Sequence, residues 1–192
     1  MSWIDYYRDD KFNRDSKPEG SRMITYEEYL EQWKCNADGV DLNNNFEADW
    51  DNIQLKNDPS YTNFKGYYPV SEPETQMLVD MALSEDFDCY ISYHSTGSLL
   101  YYDCIGNDDS MSVLEENFAT VFNNHLKYKK SNLHNSYNTN LGGFGDWIQL
   151  GLKKASITIE SGKKPCPLPM QEFPGIWARH RESWAMLAAE YY

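Results

Sequence analysis

Apolar residues recur along this chain at two periods, and the switches between them predict its elements. Tyr26, Tyr29, Leu30 and Trp33 fall on one helical face, opened by Thr25-Tyr26-Glu27-Glu28 as a capping box. A loop-rich stretch over residues 36–70 follows. Ser71-Glu72-Pro73-Glu74 opens a second helix, again as a capping box with proline in the first turn, continuing through Met77, Leu78, Met81 and Ala82. Residues 89–93 read as a strand, as do Leu99–Tyr102. Leu114, Phe118, Val121 and Phe122 mark a third helix over residues 109–126. A polar, Asn-rich loop over 131–140 leads to Gly142-Gly143 and a short helix around Trp147 and Ile148. Residues 156–160, Ser-Ile-Thr-Ile-Glu, form a β-branched strand ending in a carboxylate. Pro165, Pro167 and Pro169 then break the chain, and one final helix carries Ile176, Trp177, Trp184 and Leu187. Helices alternating with short, buried-looking strands predict an α/β layered fold.

Composition narrows the function classes. A chain of 192 residues defaults to one domain that buries about 70% of its unfolded surface. Residues 1–22 read as a polar arm and residues 23–192 as that domain. Acidic residues outnumber basic ones 30 to 17, giving a net charge of -13. Such a chain repels phosphate backbones, so nucleic acid is not an expected partner. The four cysteines, Cys35, Cys89, Cys104 and Cys166, form no C-x-x-C pair and read as free thiols. No apolar run reaches membrane-spanning length, so no membrane is expected as a partner. The start is too charged for a signal peptide. The expected compartment is the cytoplasm, with secretion or the cell wall open to a longer parent.

Two predicted strands end in reactive side chains, His94 and Glu160, and strand ends are where open α/β sheets place active sites. A histidine that can hold zinc and a glutamate that can take a proton from metal-bound water are half of a metal-assisted hydrolase. Spacing alone says little. A strand-end histidine is more often a hydrogen-bonded structural residue, and a terminal glutamate is usually solvated.

The surrounding segments carry more. Gly39-Val40-Asp41-Leu42-Asn43-Asn44-Asn45-Phe46 resembles the G-V-D-L-N-R-N-F signature of the zinc carboxypeptidase family, and Ser71-Glu72-Pro73-Glu74-Thr75 resembles its following helix start. Ile91-Ser92-Tyr93-His94-Ser95 resembles the strand that carries the family's third zinc ligand. Gly142-Gly143 with Asp146-Trp147, then Thr158-Ile159-Glu160-Ser161-Gly162, resembles the approach to its catalytic glutamate. Cys166-Pro167-Leu168-Pro169 is similar to bacterial members, including those that cut peptidoglycan stem peptides beside a γ-D-glutamyl residue. The resemblance spans residues 33–177. It implies a mixed sheet flanked by helices, one zinc, and hydrolysis of an amide bond near a peptide's C-terminus. His94 would be a zinc ligand, Glu160 the general base, and Asn43 a hydrogen-bond donor to the substrate's terminal carboxylate. Tyr137 is the nearest match, in a slightly shifted register, to a tyrosine that closes over substrate.

The pattern also fails in two places. The family's first two zinc ligands come from His-x-x-Glu, upstream of the G-V-D-L-N segment. Here His94, His125, His134 and His180 are followed at that spacing by Gly97, Tyr128, Tyr137 and Ser183. The early strands that should carry the motif are expected to be missing, and zinc to be weakly bound or absent. His125, His134 and His180 read as surface residues. Asn44 stands where relatives have an arginine that clamps the terminal carboxylate; losing a charged hydrogen bond of about 1.5–3 kcal/mol weakens recognition roughly tenfold to a hundredfold. Gln32 stands at a second arginine position just before Trp33-Lys34-Cys35-Asn36. Three expectations follow. The chain is a carboxypeptidase-like protein that is inactive or incomplete by itself; it is an active metallocarboxypeptidase when a further segment completes it; or it is a non-catalytic peptide-binding or self-associating module, a homo-oligomer covering an exposed sheet edge.

Overall fold

The computed structural model describes residues 25–134 and 141–191. The chain divides between Glu85 and Asp86 into two compact units. The predicted arm at residues 1–22 lies outside the described residues.

In the first unit, α1 (Tyr26–Glu31) starts as its sequence demands. Thr25 Oγ1 accepts the Glu28 amide at 3.2 Å, and Glu28 Oε2 accepts the Thr25 amide at 2.7 Å. Tyr29 is fully buried, edge-on to Trp33 and tilted against Tyr61, whereas Leu30 is exposed. Residues 36–70 contain two 3₁₀ turns, Leu42–Asn44 and Trp50–Asn52. Buried polar side chains hold this irregular backbone. Asp41 accepts the Asn63 amide at 3.1 Å and lies 3.6 Å from Lys34 Nζ. Asn45 donates through Nδ2 to the Lys65 and Tyr68 carbonyls and to Ser71 Oγ, and accepts through Oδ1 from Thr75 Oγ1 and the Glu72 amide.

Helix α2 (Pro73–Ser84) corrects the second predicted capping box. Its N-cap is Glu72, with no side-chain cap bond, and Pro73 fixes the first helical φ. The Ser71 hydroxyl and the Glu72 carboxylate are drawn elsewhere. Ser71 Oγ donates to Glu72 Oε1, and Glu72 Oε2 accepts from Asn36 Nδ2, each at 2.6 Å. The buried positions of α2 are Thr75 and Ala82; Met77 and Met81 are exposed.

The second unit holds a four-stranded mixed sheet of order β1-β4-β2-β3. Its strands are β1 (Cys89–His94), β2 (Leu99–Tyr102), β3 (Lys129–Asn132) and β4 (Ala155–Glu160). β1 runs parallel to β4, β4 antiparallel to β2, and β2 parallel to β3. The β-branched run of β4 suits a central strand. Helix α3 (Asp109–Leu126) is capped by Asp108, whose Oδ1 accepts the Met111 amide at 3.0 Å. It turns Phe118, Phe122 and Leu126 onto the sheet face of Leu100, Ile157 and Ile159. On β4 the alternate residues, Ser156 and Thr158, meet Gly145 of α4 (Phe144–Trp147), which runs on into a π-helical turn, Ile148–Leu152. A Cβ at Gly145 would stand 3.2 Å and 3.3 Å from their hydroxyl oxygens, so the close approach needs glycine.

Two predicted segments differ. Residues 131–132 of the expected loop belong to β3, an edge strand paired only with β2, whose polar Lys-Lys-Ser-Asn sequence hides the strand period. The single final helix is two, α5 (Phe173–His180) and α6 (Ser183–Tyr191), and the Ser183 hydroxyl donates to the His180 carbonyl at 2.8 Å between them. The predicted α/β class stands: a mixed sheet flanked by helices.

Candidate functional site at the sheet edge

His94 and Glu160 end neighbouring parallel strands as register partners. Side chains alternate along a strand, and paired residues of adjacent strands share a face about 4.8 Å apart. The imidazole and carboxylate therefore stand side by side, above the Ser92–Thr158 and Tyr90–Ser156 pairs on the same face. Both are half-buried. The antiparallel partner of Glu160 in β2 is Leu99, an apolar neighbour on its other flank.

The turns beyond the strands lock this edge. The Ser161 amide donates to the His94 carbonyl at 2.8 Å. The Gly162 carbonyl accepts the Gly97 amide at 3.1 Å and Ser98 Oγ at 3.0 Å. Gly162 has φ +83°, and a Cβ there would meet Leu168 at 2.6 Å, so the glycine after Glu160-Ser161 is required by both conformation and space. Cys166 Sγ lies 3.3 Å from Ser95 Oγ. All four cysteines are free, as expected; burial pushes the Cys35 thiol up to about 12 and raises Cys89 and Cys104.

Asn43 and Asn44 lie in the first unit, half-buried in the 3₁₀ turn Leu42–Asn44. The third asparagine of that motif, Asn45, is the buried hub described above. Tyr137 lies outside the described residues.

The remaining histidines are less exposed than their polar surroundings in sequence imply. His180 is only 3% exposed, corrected from a surface position. Its Nε2 lies 3.0 Å from the Tyr128 hydroxyl, and Tyr93 packs edge-on against it. Burial first, and the Arg179 charge second, depress its pKa. His125 is half-buried, with Nε2 3.4 Å from Glu190 Oε1, and His134 Nδ1 lies 3.6 Å from Asp103 Oδ1.

Sequence reasoning missed a polar network behind β4. Ser156 lies beyond the last β2 pair, Tyr101–Thr158, so β2 does not supply its backbone partners. Glu115 Oε1 accepts the Ser156 amide and Gln149 Nε2 donates to its carbonyl, each at 2.8 Å. Gln149 Oε1 also accepts from the Cys104 amide and Asn107 Nδ2. The signal was present: Glu115 falls on the helical face set by Met111, Phe118 and Phe122.

A catalytic zinc takes three protein ligands and keeps an open position. Among the described residues no three His, Cys, Asp or Glu side chains gather to hold a metal ion. His94 and Glu160 are therefore not joined into a three-ligand set among the described residues.

A family model described as zinc carboxypeptidase matches residues 10–183. Gamma-D-glutamyl-L-diamino acid endopeptidase 1 of Lysinibacillus sphaericus is 30% identical over 149 residues, 76% of this chain and 35% of that protein. The uncharacterized protein YqgT of Bacillus subtilis (strain 168) is 30% identical over 165 residues, 84% of this chain and 42% of that one. In fold, the chain resembles the crystal structure of carboxypeptidase A from Helicoverpa armigera, with TM-score 0.64 and 20% identity, over 78% of this chain and 41% of that one. It thus spans between about a third and two-fifths of the length of these three proteins. With a family model covering most of its length, the chain belongs to the zinc carboxypeptidase family.

Proposed function

We propose that this polypeptide is a carboxypeptidase-type scaffold for peptides of the peptidoglycan-stem class that does not by itself hydrolyse them. The observation that carries this reading is the His94–Glu160 register pair, which no further ligand group joins among the described residues. In this reading His94 holds the metal-ligand position and Glu160 the base position. Asn43 donates to the substrate carboxylate, Asn44 replaces a charged clamp with a neutral donor, and Tyr137 covers the substrate. The substrate class follows the name of the L. sphaericus relative, a gamma-D-glutamyl-L-diamino acid endopeptidase. No hydrolytic step through zinc is assigned, because the donor set falls short. A second reading rests on the same pair: the strand-end geometry is kept, so a segment supplying the remaining ligands would make the site an active metallocarboxypeptidase.

The test is zinc content by elemental analysis after chelator-free purification, together with hydrolysis of a γ-D-glutamyl-diaminopimelate peptide. The expected result is zinc well below one per chain and no hydrolysis above the Glu160→Gln background. Stoichiometric zinc with hydrolysis that Glu160→Gln abolishes would overturn the scaffold reading, and zinc and hydrolysis gained only when a ligand-bearing segment is added would establish the second.

A further inference from the structure

A cavity of about 240 Å³ opens just past the end of β4, walled by the Gly162-Lys163 turn, Ser98, Tyr128 and one side of α5. Its walls are ordered by their own bonds. The Glu172 carboxylate accepts the Lys163 and Lys164 amides at 2.8 Å and 3.0 Å, so both its oxygens face backbone donors. Arg179 donates through one guanidinium nitrogen to the Leu126 carbonyl at 3.1 Å, and its guanidinium carbon stands 5.7 Å from the Tyr128 ring centre. That single bond fixes the group while leaving most of its five N–H donors for another acceptor. Among the described residues neither Lys163 nor Arg179 is ion-paired with a carboxylate. Two such cations around one cavity stand out in a chain of net charge -13.

We infer that this cavity binds a small aliphatic dicarboxylate, its carboxylates on Arg179 and Lys163. The Glu172 carboxylate on the same wall is taken up by the Lys163 and Lys164 amides, which leaves the two side-chain cations for the ligand, and planar guanidinium matches a carboxylate bidentately. The volume lies below the usual range for drug-sized ligands, so the ligand is small. The Tyr128 ring and Ile176 give a methylene chain an apolar wall. The site needs neither zinc nor hydrolysis, so it stands or falls separately from the function proposed above.

Calorimetric titration of the whole chain with glutarate tests it, against glutaramide as the neutral isostere and inorganic phosphate as the compact dianion. The expected result is one saturable glutarate site, with glutaramide and phosphate each at least tenfold weaker. Arg179→Gln should weaken glutarate roughly tenfold to a hundredfold, as for a lost charged hydrogen bond. Gly175→Leu should abolish binding without lowering Tm. Gly175 lines the cavity, an added Cβ there meets nothing within 4 Å, and leucine is the better helix former. No saturable glutarate binding, equal binding of glutaramide or phosphate, or unchanged binding in a folded Gly175→Leu variant would each overturn the inference.

Discussion

Asn45→Ala should destabilise the first unit by about 3–5 kcal/mol, while Asn44→Ala, one residue away, should stay within about 0.5 kcal/mol. The contrast comes from where each side chain goes. Asn45 is fully buried, and its amide meets five partners, its two Nδ2 hydrogens shared among the Lys65 and Tyr68 carbonyls and Ser71 Oγ, and its Oδ1 accepting from Thr75 and Glu72. Each full hydrogen bond contributes about 1 kcal/mol net, and truncation strands buried partners that water reaches poorly. Three of those partners fix the start of α2, so the loss spreads from the 36–70 loop to the helix. Asn44 is half-buried in its 3₁₀ turn, where solvent can replace what alanine removes. Urea unfolding reads both variants, and a shift in midpoint at constant m assigns the change to stability. If Asn45→Ala costs no more than Asn44→Ala, the hub is not what holds the loop. The pair also isolates what Asn45 does within the motif, which is to build the scaffold.

Which parts of this molecule could be read from sequence follows from how local their causes are. The Thr25 capping box, the Asp109–Leu126 helix and the β4 strand were legible because cap, period and β-branching lie within a few consecutive residues. The S-E-P-E start misled because its serine and glutamate bond to Asn36 and Asn45, distant in sequence. β3 was hidden because an edge strand of Lys, Ser and Asn has no apolar period to show. At the candidate site, His94 and Glu160 were legible as strand ends. Their alignment was not, since register is a property of two strands and neither sequence contains it. His180 looked solvated because its cover, Tyr93 and Tyr128, comes from other elements.

The second large effect is a stability that falls as pH rises, set by Glu115. This carboxyl is fully buried against β4, and burial pushes its pKa up to about 8. The negative charge of Asp103 adds to the shift, and backbone hydrogen bonds from Ser156 and Asp103 oppose it. The folded chain therefore keeps the Glu115 proton between about pH 4.5 and 8, whereas the unfolded chain has already lost it. Unfolding in that window releases a proton, so each pH unit removes about 1.4 kcal/mol, or roughly 3–5 kcal/mol across the window. Below pH 4.5 both states hold the proton; above about 8 both have lost it, and the slope vanishes at each end. Asp146, which burial pushes up to about 6 while the Gly143 amide bond opposes the shift, adds to the slope at its acid end, and the depressed pKa of His180 opposes it. A difference curve isolates Glu115. Glu115→Gln keeps an oxygen for the Ser156 amide at nearly the same volume and has no proton to lose. Urea unfolding from pH 5 to 8.5 should show wild type losing stability relative to this variant steadily up to about pH 8. Parallel curves would mean that the buried carboxyl is already ionised in the fold, held by a donor other than its own proton.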